Sequence, residues 1–196
     1  MKLYNAEISA GSLMLPESRR IARLLLTHPT PAQWDEAVNQ ENLLQKKPAT
    51  AQRQARLIRN RLMKLDADGL QLVASGDGEI SNQVLLAAAV RHSRLLSDFL
   101  RDVYGADLRR LERRLNHRQW DAFLIDCRNR DPAMGAWAAT TRKKLFQVIV
   151  RILAEARYLD SARHMGLTPP MLHPIARTYL KHLGDAETLA RMESKA

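Results

Sequence analysis

Residues 46–65 carry the side chains whose chemistry is most directly interpretable. The segment contains seven Lys or Arg residues and no Asp or Glu. Lysine and arginine neutralise phosphates and release counterions, and arginine, asparagine and glutamine also bind base edges. The segment therefore predicts a polyanionic ligand, and nucleic acid is the hypothesis that these residue types favour. The predicted DNA-binding residues here are Lys46, Lys47, Thr50, Gln52, Arg53, Arg56, Arg59, Asn60 and Lys64.

The apolar residues of this segment recur at helical spacing, which predicts an amphipathic helix over residues 50–65 with Thr50 as its N-cap. The opposite face is basic. A merely solvated helix is the alternative interpretation, but solvated faces ordinarily mix charges of both signs, and this one lacks acids. The predicted buried stripe comprises Ala51, Ala55, Ile58, Leu62 and Leu65.

The net charge of the whole chain also favours a polyanionic ligand. The 196 residues include 31 Lys or Arg against 21 Asp or Glu, a net charge of +10. Such a field attracts phosphates, although a simply soluble basic protein would share it. Residues 109–118 form a second basic cluster, for which phosphate contact and pairing with nearby acids remain open. Further predicted DNA-binding residues are Arg142, Lys143 and Lys144.

The sequence gives little support for an enzymatic function. The six histidines form no HExxH motif, and neither a P-loop nor a GxGxxG motif is present, so we predict no catalytic residue, metal or cofactor. Asp98 and Asp102 lie one helical turn apart, a spacing typical of surface ion pairs with Arg94 or Arg101. Cys127 is the single cysteine and is expected to be a buried thiol. With no signal-peptide pattern and no spanning segment, we predict a cytoplasmic protein that does not enter a membrane.

The elements that position the basic residues are predicted to be helices, so the fold class is all-α. A capping box at Thr30 begins a helix containing Trp34. Residues 46–49 are predicted as the turn of a helix-turn-helix, residues 66–79 as a break, and a long central helix runs from Ser81 to about Tyr104, where Gly105 ends it.

The second half repeats part of this pattern, because Gln-Trp-Asp at residues 33–35 recurs at residues 119–121. A basic helix is predicted over residues 108–118, and Thr140 or Thr141 caps a later core helix. Residues 166–172 are predicted to form an irregular loop or a short β-wing. We therefore predict two tandem modules, helix-turn-helix or winged-helix-like, joined by the central helix. The predicted boundaries are 1–79, 80–105 and 106–196.

Six stretches together resemble one protein family: residues 4–12 (YNAEISAGS), 16–22 (PESRRIA), 48–57 (PATAQRQARL), 85–100 (LLAAAVRHSRLLSDFL), 120–131 (WDAFLIDCRNRD) and 152–159 (ILAEARYL). They are similar to the BrxA family of the BREX bacteriophage-exclusion systems. The resemblance implies a helical, non-enzymatic accessory protein that binds double-stranded DNA beside other BREX components, including a methyltransferase and large ATPases.

No DNA-contacting residue is assigned from the resemblance, because no sequence motif of the family defines such residues. It leaves two further interpretations open. The family has been likened to the RNA-binding factor NusB, which implies RNA as an alternative ligand. The helices could also form a protein-interaction scaffold that docks an acidic partner within the defence complex.

Overall fold

Helices and loops make up the fold. The structure, a computed structural model, describes residues 2–194 and contains no named strand within them, which confirms the predicted all-α class. Wider π-helical turns extend α2 through Glu36–Gln40 and join α6 to α7 through Leu100–Tyr104, and 3-10 helices cover Glu7–Ala10 and Pro132–Ala136. The helices are α1 (Leu15–Leu26), α2 (Pro31–Asp35), α3 (Pro48–Leu62), α4 (Ala67–Ser75), α5 (Gly78–His92), α6 (Arg94–Phe99), α7 (Gly105–Arg109), α8 (His117–Arg130), α9 (Ala139–Glu155), α10 (Pro174–His182) and α11 (Ala186–Glu193).

Helix α5 lies at the centre of the core. Asp77 caps it by accepting hydrogen bonds from the amides of Glu79 and Ile80. Residues 84–90 are all apolar and all buried, and an unbroken apolar run covers every face of a helix, so α5 must be surrounded. Helices α1, α3, α4, α10 and α11 pack around it. One contiguous hydrophobic cluster extends from Tyr4 to Met192, and the division into modules stays a prediction.

The long central helix is broken, contrary to the prediction. Ser93 has extended backbone angles (φ −118°, ψ 104°) and its hydroxyl accepts a hydrogen bond from the amide of Leu96, so it ends α5 and caps α6. Gly105 does not end the following segment. It keeps right-handed helical angles, and the chain stays helical to Arg109. The Ser93 cap, which lies between His92 and Arg94, outweighed the helical periodicity on either side of it.

Residues 66–79 contain helix α4 where a break was predicted. Asp66 is its N-cap, accepting a 2.9 Å hydrogen bond from the amide of Gly69. Gly69 is buried beneath the Tyr179 hydroxyl, which a side chain at position 69 would displace. Asp66 and Gly69, which resembled parts of a turn, therefore serve as an N-cap and as the site of a close contact. Packing against α1 and α5 supports the helix.

Residues 110–116 form a loop, so the predicted helix over 108–118 is wrong. Leu111, with φ +57°, is 84% exposed. The predicted wing at 166–172 is also absent as a β-hairpin. The described chain shows only isolated bridges, Arg114 to Gly166 and Leu159 to Leu167. Pro169 and Pro170 have no amide hydrogen to donate, so a ladder cannot continue through them.

The segment before α1, residues 3–13, is tied to helices distant in sequence, and we call it the N-terminal strap. The amides of Leu3 and Tyr4 donate to Asp131 Oδ2 over 2.8 and 3.0 Å. The Tyr4 hydroxyl donates to Asp98 Oδ2 over 2.7 Å. The first residues of the strap are thus fixed to α6 and to the end of α8.

The other end of the strap joins α3 to α9. Arg61 of α3 donates to the carbonyl oxygens of Gly11 and Ser12. The Ser12 hydroxyl and the Leu13 amide donate to the carboxylate of Glu155, the last residue of α9, over 2.7 and 2.8 Å. The carboxyl ends of α3 and α9 therefore meet at residues 11–13.

Asp107 provides a test of pH-dependent stability. Its buried carboxylate accepts a 2.7 Å hydrogen bond from Gln119, yet burial and the charge of Glu112 raise its pKa to about 6. The unfolded value is about 3.9, so proton binding favours the folded state, and this stabilisation is lost as pH rises through 6. Asp107→Asn should therefore be more stable than the parent by about 2 kcal/mol near pH 8.

The advantage of Asp107→Asn should shrink towards zero as the pH falls to about 4, where the parent carboxyl is also neutral in the folded state. Urea unfolding of both proteins across this pH range measures the difference. An equal advantage at both ends of the range would show that ionisation of Asp107 is not its cause.

Candidate nucleic-acid interface

Helix α3 begins two residues earlier than predicted, at Pro48, with Lys47 as an N-cap that makes no side-chain hydrogen bond. Thr50 is the third residue of the helix, so its predicted capping role is wrong. Proline at the first position has a suitable φ and no amide hydrogen to satisfy, which explains the earlier start. Thr50 is half-buried on the first turn.

The two faces of α3 are arranged as the spacing predicts. Ala51, Ala55, Ile58 and Leu62 are at most 1% exposed. Leu65, beyond the end of the helix, is half-buried. The opposite face presents polar side chains to solvent, with Asn60 half-buried at its edge. The exposed side chains are Lys46, Lys47, Gln52, Arg53, Arg56, Arg59 and Lys64.

The basic face is almost free of neutralising acids. No carboxylate of residues 2–194 lies within 4.0 Å of the charged nitrogens of Lys47, Arg53, Arg56, Arg59 or Lys64. Lys46 is the exception, pairing with Glu17 over 3.1 Å. An exposed pair of this kind contributes at most about 1 kcal/mol, so a phosphate can compete for the lysine. The positive charge is therefore available to a ligand.

Arg61 is the one arginine of the segment that a ligand cannot reach. It is 2% exposed, and its guanidinium donates to the carbonyl oxygens of Gly11 and Ser12. Burial lowers its pKa to about 10, so it stays charged at neutral pH. Its spacing was the available signal, because position 61 lies beside Ile58 and Leu62 on the buried side of the helix.

A cavity of about 310 Å³ lies between α2 and α3, within the basic face. The guanidinium carbon of Arg59 lies 4.7 Å from the centroid of the Trp34 indole, a cation–π contact. Trp34, which lies in the helix predicted to begin at Thr30, is half-buried. The cavity is lined by Trp34, Val38, Asn39, Gln52, Ala55, Arg56, Arg59 and Asn60.

The connection before α3 differs from the predicted turn. The π-helical extension of α2 ends at Gln40, and residues 41–47 join it to α3. These seven residues replace the predicted turn at 46–49 and include Leu44, which is 1% exposed. The buried leucine fixes the loop to the core. The two helices are thus consecutive and share a cavity, but their connection is longer than that of a helix-turn-helix.

The second predicted cluster lies at the beginning of α9. Arg142, Lys143 and Lys144 are exposed, and Arg142 donates a 3.1 Å hydrogen bond to the carbonyl of Trp137. Ala138 precedes the helix without a side-chain cap, so neither Thr140 nor Thr141 is the predicted N-cap. Arg142 is about 20 Å along α9 from its junction with the strap. The cluster therefore forms a separate surface at a helix start.

Two groups with potential for other chemistry, Cys127 and His92, are buried or paired. Burial raises the pKa of the Cys127 thiol to about 11, so it remains protonated at neutral pH. His92 Nε2 lies 3.1 Å from Glu7 Oε2, and burial lowers the pKa of the imidazole. Within residues 2–194 no cluster of three or more His, Cys, Asp or Glu is placed to hold a metal ion. None of the described helices is both long enough and apolar enough to cross a bilayer.

Comparison with known proteins reveals extensive similarity. The family model described as BrxA matches residues 2–184. "BREX protein BrxA" of Paramagnetospirillum magneticum (strain ATCC 700264 / AMB-1) is 41% identical over 179 residues, covering 91% of this chain and 90% of that protein. The protein of the same name from Escherichia coli O9:H4 (strain HS) is 33% identical over 195 residues, covering 99% and 92%. The crystal structure of an uncharacterized protein from Magnetospirillum magneticum matches with a TM-score of 0.91 and 37% identity, covering 98% of this chain and 99% of that one.

Proposed function

This chain belongs to the BrxA family, and from that premise we propose that it is an accessory protein of a BREX phage-defence system that binds double-stranded DNA through α3. The observation that carries the proposal is the exposed basic face of α3, where five of the charged side chains have no acidic partner within residues 2–194. Phosphates are the ligands that such a face suits best. The other BREX components, including a methyltransferase and ATPases, are proposed as its partners.

Binding should depend mainly on the DNA backbone. Arg53 and Arg56 on α3 and Lys64 just beyond its end are long, flexible cations, which suits phosphate contacts more than a fixed set of base contacts. The cluster at Arg142, Lys143 and Lys144 provides a second surface for the same duplex or for another. Weak sequence preference and strong dependence on ionic strength follow from this mode of binding.

A mobility-shift titration at two salt concentrations tests the proposal. Each phosphate contact contributes about −0.9 to the slope of log affinity against log salt concentration. With about five contacts, we expect affinity for a mixed-sequence duplex to fall at least a hundredfold between about 50 and 200 mM salt. An affinity independent of salt would contradict binding through the phosphate backbone.

Two other ligands would match a basic surface, and each has its own measurement. An acidic protein partner is compatible with this surface, because Lys46 already pairs with a carboxylate, that of Glu17. Charge reversal on α3 would then reduce partner binding and leave DNA affinity unchanged. Whether RNA is the ligand is tested by competition between duplex DNA and a structured RNA of equal length, because the preferred ligand displaces the other at lower concentration.

A further inference from the structure

The Trp34–Arg59 pair places a planar cation at the edge of the basic face. Arg59 is exposed and forms no ion pair within residues 2–194, and its guanidinium carbon is 4.7 Å from the indole centroid. This contact restricts the guanidinium without neutralising its charge. Nucleobases stack readily on guanidinium planes and on aromatic rings. The pair therefore offers a stacking surface beside phosphate-binding side chains.

The cavity next to this pair has the size and polarity to hold one base. Its volume of about 310 Å³ is at the lower end of the range of about 300–1,000 Å³ for small-molecule sites. Within the described chain the amides of Gln52 and Asn60 have no side-chain hydrogen-bond partner, so their donors and acceptors are available to a base edge. Val38 and Ala55 contribute apolar surface to the lining.

A base within a continuous duplex cannot enter such a cavity, because it is stacked between its neighbours and paired with its complement. Extruding it costs a few kcal/mol, and this cost is smallest when the base is already unpaired. The cavity therefore suits an unpaired base, whereas the basic side chains around it suit the phosphates of the same strand.

We infer that the cavity between α2 and α3 binds a single unpaired nucleobase of a DNA strand, stacked against the Trp34–Arg59 pair. The inference rests on the proposed function, because the phosphates that flank the base contact the basic face of α3. The protein then holds DNA that contains an unpaired base more tightly than fully paired DNA of the same length and charge.

Two duplexes that differ only in pairing test this inference. In one, 2-aminopurine stands opposite thymine. In the other it stands opposite an abasic site, so the number of phosphates is unchanged. Stacking one base on a protein platform is worth about five- to a hundredfold in affinity, so we expect the wild-type protein to bind the unpaired duplex about tenfold more tightly. Fluorescence anisotropy of an end-labelled duplex measures both affinities.

The variant Arg59→Lys separates stacking from charge. Lysine keeps the positive charge but has no planar face. We expect the ratio of the variant's affinities for the unpaired and paired duplexes to fall from about ten to about one, because any change in its phosphate contact affects both duplexes alike and cancels in the ratio. Arg53→Lys is the matched control: it makes the same replacement on the same exposed face, outside the cavity lining, and should retain the preference.

The outcomes separate this inference from the proposed function. Equal wild-type affinity for the two duplexes would overturn the inference and leave the proposed function standing. No binding to either duplex would overturn the proposed function. If Arg53→Lys and Arg59→Lys lose the preference alike, the cavity is not its source and the inference fails. Because the first comparison uses only wild-type protein, the folding of a variant does not enter it.

Discussion

Replacing Arg53 and Arg56 together by glutamate is expected to weaken binding to duplex DNA about a hundredfold or more at low ionic strength. Both side chains are exposed on α3, and neither has a carboxylate partner within residues 2–194. Each replacement removes a phosphate contact and introduces repulsion, and the loss of two contacts should reduce the salt slope by about two. The melting temperature should change by less than about 2 °C, because neither side chain is part of the core.

A control with the same change in net charge is Arg157→Glu with Lys181→Glu. Both residues are exposed and lie outside the predicted interface. Within residues 2–194 the Arg157 side chain pairs only with Glu79, at 3.4 Å, and this exposed pair contributes little to stability. Comparable loss of DNA affinity in both double variants would indicate a general effect of net charge and would remove the assignment of the interface to α3.

Replacing Asp98 by alanine is expected to lower the free energy of unfolding by about 3 kcal/mol. The Asp98 side chain is 1% exposed. It accepts the Tyr4 hydroxyl at 2.7 Å and lies within 3.1 to 3.5 Å of nitrogens of Arg94, Arg101 and Arg130. Its loss leaves three guanidiniums close together without their shared anion. The melting temperature should fall by about 6–12 °C.

The matched control for this variant is Asp126→Ala on α8, whose exposed side chain forms no ion pair within residues 2–194. It should change stability by less than about 0.5 kcal/mol. Asp98→Asn, which can still accept the Tyr4 hydroxyl but lacks the charge, should be intermediate. If Asp98→Ala is as stable as the parent, solvent and Asp102 must be sufficient to satisfy the three arginines.

Features determined by a few neighbouring residues could be predicted from the sequence. The capping box predicted at Thr30 forms with Gln33, and a second forms between Asn116 and Gln119. The buried stripe of α3 follows its apolar spacing, with Ala51, Ala55, Ile58 and Leu62 at most 1% exposed. In each of these features, the partners lie within a few helical turns of one another, where residue type and spacing dominate.

Features that depend on distant partners could not be predicted. The spacing of Arg61 places it on the buried side of α3, but its partners, the carbonyls of residues 11 and 12, lie 50 and 49 positions earlier and could not be predicted. Asp98 does pair with Arg94 and Arg101, but Tyr4 and Arg130 also contact it, so the expected surface pairs share one buried carboxylate.

The exposed basic face of α3 depends partly on the local sequence and partly on tertiary packing. The absence of acids within residues 46–65 is a fact of the sequence. Whether carboxylates from elsewhere cover the face depends on tertiary packing. Only Glu17, at Lys46, does so among the described residues.

The N-terminal strap also constrains the order of events during synthesis. Its acceptors Asp98, Asp131 and Glu155 follow their donors by 94, 127 or 128, and 142 or 143 positions. At about 5–20 residues per second, a ribosome needs roughly 7–30 s to make the last of them after the first donor has been incorporated. During that time the strap has no native partner for these groups, and α3 and α9 cannot be joined. The completed fold is therefore assembled after translation of α9, when the earliest residues are locked in place by some of the latest.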